Sequence, residues 1–209
     1  MKLTPSTMAD VVIAWFERFE LNQIRHEEQA FLAARPALEV IQRADQERRR
    51  AEWKAALRDC QLALTGASDQ QRHGNGHEAN EEAEKQAAYT EATVRLYFGT
   101  ILLAHSAVLK DGATQYLDAA LRQCQKSVGR FRELKRWRAE SIAQAAIAMV
   151  YAVRRKWSDA IEAYQQSVTA IDKMAPLNSS LEELRDQIGR TIPAILDRYE
   201  QETRSDTGQ

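Results

Sequence analysis

Glycine occurs eight times and proline four times in the 209 residues, under half their usual combined share. Chains built of strands need such residues at every hairpin, whereas long helices exclude them. Ala, Glu, Arg, Gln and Leu dominate instead, and all are good helix formers. An all-α fold is therefore expected. Hydrophobic residues make up 44%, enough for a real core in a chain of this length. Basic and acidic residues nearly cancel, 29 against 30, so whole-chain attraction to nucleic acid or to an anionic membrane is not expected. Cys60 and Cys124 offer neither a disulfide framework nor zinc-ligand spacing, and read as small buried hydrophobes in a reducing compartment. The first apolar run, 11–16, is too short for a secretory signal or a membrane span, which makes the cytoplasm the expected location.

Residues 1–6 and 204–209 read as flexible ends. Thr7 is expected to cap a first helix with Asp10 reaching back, and Val11, Val12, Trp15, Phe16 and Phe19 then recur at helical spacing to about residue 34. Pro36 suits the first turn of a second helical stretch, which completes an N-terminal unit over 7–65 with a tight turn near Arg48-Arg49-Arg50. Residues 66–80 contain no large apolar side chain and are expected to form a flexible loop. The remaining unit, 81–203, reads as helices over about 81–110, 114–134, 139–154 and 158–174. A final helix is expected from Ser179-Ser180, paired with Glu182-Glu183 as a capping box, to about residue 202, kinked or split at Pro193.

Three segments echo one another, each placing a small residue, a larger one and a second small one at i, i+4 and i+7. The trios are Ala56/Cys60/Ala63, Ala120/Cys124/Ser127 and Ala160/Tyr164/Ser167. Those positions share one helix face, where small side chains let a neighbouring helix come close. Over 141–174 the chain resembles the tetratricopeptide repeat family. Ile147-Ala148 stand at its Leu-Gly position, Tyr151 at its tyrosine, Trp157 at the aromatic residue opening the second helix, and the third trio at its Ala, aromatic and Ala positions. Phe98-Gly99 and Leu102 supply a middle copy, and the first copy has a fair second helix only. Successive trios lie 64 and 40 residues apart rather than 34, so the array is irregular. The resemblance implies antiparallel helix pairs stacked as a short right-handed superhelix with capping helices.

Little in the sequence suggests chemistry. His73 and His77 have a metal-like spacing, but Gly74-Asn75-Gly76 between them breaks a helix and no third ligand is near. Gly74, Gly76 and Ala79 fit a dinucleotide fingerprint formally, without the strand that motif requires. No catalytic, cofactor or metal residues are assigned, and an enzyme is not expected.

In the family, the first helices of the repeats line a concave groove. Carried over, this implies Leu96, Thr100 and Leu103 from the middle copy and Ile142, Ala145, Met149 and Val153 from the last. The lining is apolar and suits a helix or extended segment of a partner protein, unless the chain's own terminal helices cover it. A non-enzymatic scaffold or adaptor is the expectation. The alternative is an RNA-associated helical protein using Arg48, Arg49 and Arg50 together with Arg154, Arg155 and Lys156, which fall at equivalent turns along one edge. A further basic cluster, Arg130, Arg132, Lys135, Arg136 and Arg138, falls at the opposite kind of turn.

Overall fold

The computed structural model describes residues 5–21, 28–73, 81–106, 108–109, 113–174, 176–190 and 197, and among them there is no strand. Helix α1 (Pro5–Trp15) passes into a π-helical turn, Phe16–Leu21. It is followed by α2 (Glu28–Arg49), α3 (Trp53–His73), α4 (Glu81–Ser106), α5 (Ala113–Glu133), α6 (Trp137–Val153), α7 (Trp157–Asp172) and α8, residues 179–190. Consecutive helices from α2 to α7 pack on one another, while α1 lies across α4 and α6.

The all-α expectation agrees with this, but several boundaries differ. The first helix begins at Pro5, which occupies a first-turn position, so Thr7 is not its cap. Pro36 sits inside α2 rather than opening it, at an exposed position. Helix α3 runs through Gly66 to His73, into the stretch expected to be a loop. Thr65, Gln70 and Gln71 are tolerated in a helix, and the absence of large apolar residues removes the need for burial, not the ability to propagate a helix. The rest of that stretch, 74–80, lies outside the described residues, as does Pro193. At α8 the cap is Asn178, whose Oδ1 accepts the Leu181 N–H at 3.0 Å, in place of the serines.

Three connections share one geometry. In α2–α3, α5–α6 and α6–α7 the second residue after the helix end adopts positive φ: Ala51 at 62°, Lys135 at 54° and Arg155 at 59°. Its N–H returns to the carbonyl three residues back, and the next N–H to the carbonyl five back, as in Lys156 to Tyr151 at 3.0 Å. A tryptophan (Trp53, Trp137 or Trp157) then opens the next helix.

All nine residues of the three trios are buried. Ser127 Oγ donates to the Ala92 carbonyl at 2.8 Å, and Ser167 Oγ donates to the Ser141 carbonyl at 2.7 Å. The same contact thus joins α5 to α4 and α7 to α6. Gly99 of α4 faces Ala120 and Cys124 so closely that an added Cβ would lie 2.5 Å from Cys124 Sγ and 3.1 Å from the Ala120 carbonyl oxygen.

Two stability outcomes follow. Gly99→Ala gains about 1 kcal/mol of helix propensity but overpacks the α4–α5 contact by about 1–3 kcal/mol, so a net loss of thermal stability is expected. Adding Cys124→Ala should restore most of it in a double-mutant cycle. Conversely, Ala51→Gly relieves a left-handed alanine and should stabilise by about 0.5–1 kcal/mol after glycine's added chain entropy, read by denaturant titration.

Candidate functional site

The residues expected to line an open groove are on the inner faces of α4 and α6, and the structure brings them together. They are not open. Leu96 and Thr100 are 1% exposed, Leu103, Ile142 and Ala145 0%, and Met149 2%. Val153 is half-buried. Of the two alternatives, an open groove or one covered by the chain's own helices, these burials fit the second: the lining is core, with α1 packed on both α4 and α6.

Helix α1 and its π turn present Met8, Val12, Ile13, Trp15, Phe16 and Phe19, all buried. Such side chains contribute about 1.5–3 kcal/mol each when withdrawn from water. Phe16 is the central anchor. Its ring meets Tyr97 of α4 edge-on at 5.8 Å and Phe131 of α5 at 6.2 Å, and Tyr89 packs on Phe131 from the other side at 5.7 Å. Polar contacts fix the register. Tyr89 and Tyr97 donate to Glu20 and Glu17 at 3.4 and 3.5 Å, and Arg138 of α6 donates to the Phe19 carbonyl at 2.9 Å. At the two ends, Asp10 pairs with Arg48 of α2 and Arg18 with Glu183 of α8, each at 2.7 Å. Burial and the neighbouring Glu20 carboxylate push the Tyr89 hydroxyl well above its ordinary pKa, which keeps it a neutral donor.

The basic edge is largely committed within the fold. Arg48 is 4% exposed and held by Asp10 and Asp45, Arg49 by Asp45, and Arg154 by Asp118. Arg50, Arg155 and Lys156 are exposed. On the opposite edge Arg130 and Arg132 meet the buried carboxylates of Glu91 and Glu140, and Arg136 lies over the Tyr89 ring. Glu91 and Glu140 each immediately precede the residue whose carbonyl takes a trio serine, a correspondence that spacing along the chain did not reveal.

His73 ends α3, and His77 lies outside the described residues. His105 is packed between Trp53 and Tyr116, ring centroids 4.8 and 4.7 Å away, and burial lowers its pKa. Both cysteines are buried free thiols; burial pushes Cys60 up and Cys124 up to about 12, so neither supplies a ready thiolate. No described helix is long and apolar enough to cross a membrane. What the sequence reading missed was the anchor role of Met8, Val12, Phe16 and Phe19, although their helical spacing was visible.

Met149→Arg places an unpaired charge in this core and should cost about 3 kcal/mol or more, measured by urea unfolding. Phe16→Ala should cost about 3–5 kcal/mol, with the near-ultraviolet signal of the aromatic cluster lost alongside. No protein-family model matches the chain, and no curated protein or solved structure matches it.

Proposed function

We propose that this chain is a non-enzymatic interaction scaffold, a short and irregular array of tetratricopeptide type whose concave groove recognises an amphipathic helix of a partner protein. The observation that carries it is the seating of α1. An apolar helix with aromatic anchors already lies across α4 and α6, which defines the chemistry such a groove accepts. Pairwise packing of α2–α3, α4–α5 and α6–α7, the buried trios and the repeated serine-to-carbonyl bonds support the repeat reading. In this reading α1 is a ligand held in cis, and a competing helix displaces it. Two unbridged thiols favour a reducing, cytoplasmic setting.

The RNA-associated reading has weaker support, since Arg48, Arg49 and Arg154 are already neutralised by aspartates. It would require a steep fall of binding with salt.

A direct test uses the full chain with α1 loosened by Phe16→Ala and Phe19→Ala. A labelled peptide of residues 5–21 should bind this variant at micromolar concentration, about −8 kcal/mol, and the unmodified chain at least a hundredfold more weakly. A loosened variant that stays helical by circular dichroism yet ignores the peptide would sink the proposal.

A further inference from the structure

A second depression lies between α5, α6 and α7, at about 290 Å³ close to the lower end of ligand-sized sites. Its floor is apolar, formed by Val128 and Ile147, each 6% exposed. One turn before Ile147 on α6 stands Gln144, which is only 4% exposed and lines the same depression. Its carboxamide, one acceptor and two donors, has no hydrogen-bond partner among the described residues and opens onto the depression.

The charge at the rim is one-sided. Asp159 and Glu162 of α7 line the depression and have no ion-pair partner among the described residues; Glu162 accepts one amide hydrogen bond, from Gln166 at 3.2 Å. The cation in the lining, Arg132, is engaged by Glu140 at 2.8 Å.

We propose that this depression binds an extended peptide segment that presents a lysine or arginine side chain. The Gln144 carbonyl accepts a backbone N–H of the segment while its amide group donates to a backbone carbonyl. The aliphatic stem lies on Val128 and Ile147, and the cationic head meets Asp159 and Glu162. The site is separate from the groove filled by α1 and does not rest on the reading of that groove.

The test is a titration of the isotopically labelled full chain with acetyl-Ala-Lys-Ala-amide, following the side-chain amide signals of Gln144 by nuclear magnetic resonance. A saturable shift is expected by about 1 mM peptide. The norleucine and glutamate versions should bind at least tenfold more weakly. Asp159→Asn with Glu162→Gln, two exposed positions, should abolish the preference for lysine over norleucine. Gln144→Leu should weaken the lysine peptide at least tenfold while leaving the melting temperature unchanged or higher, since the carboxamide has no partner in the chain to lose. A glutamine that served the fold would instead lower that temperature. Absence of a saturable Gln144 shift, equal binding of the norleucine peptide, or undiminished binding by Gln144→Leu would each overturn the proposal.

Discussion

The burial of Phe16 between Tyr97 and Phe131 is the contact on which the other packing relations depend. Helices α4 and α6 are apolar where α1 packs on them, on the side that carries Leu96, Leu103, Ile142 and Met149. Apolar surface of that extent is rarely left bare by a folded monomer. Seating α1 there closes the core. The same seating ties the ends of the molecule together, since Asp10 reaches α2 and Arg18 reaches α8 from one helical segment.

Close approach of the paired helices is the second constraint. Gly99 meets Ala120 and Cys124 with no room for a methyl group, and two serines bond a carbonyl of the neighbouring helix instead of their own. Small side chains therefore set the spacing between helices, and large ones fill the space that spacing leaves, as Tyr164 does at 1% exposure. Three turns with a non-glycine residue at positive φ persist because packing on both sides holds the helices at that angle.

Charge plays a narrower part than the arginine count suggests. Most of the arginines at the helix ends act inward, on Asp45, Glu91, Asp118, Glu140 or a backbone carbonyl. Buried carboxylates such as Glu140 are tolerated because a guanidinium from the next helix reaches them, which links register between pairs to electrostatics. Asp159, Glu162 and Gln144 stand apart, being polar groups that line a depression without such partners.

The scarcity of glycine and proline was enough to determine an all-helical chain, because helix propensity and hydrophobic spacing are local properties. The trio faces were legible for the same reason: i, i+4 and i+7 fall on one side of any α-helix, and all nine positions are buried. The lining of α4 and α6 was legible as an apolar surface too. What covers it was not. Whether Leu96 and Met149 face a partner or the chain's own α1 depends on where a helix some 80 residues before the first and some 130 before the second comes to rest, and no local pattern encodes that. Tertiary structure also decided which arginines are spent on aspartates, and that Gln144 and Glu162 meet at one depression. Those relations arise between helices, where the pairing of side chains is set by the distance and angle at which the helices cross.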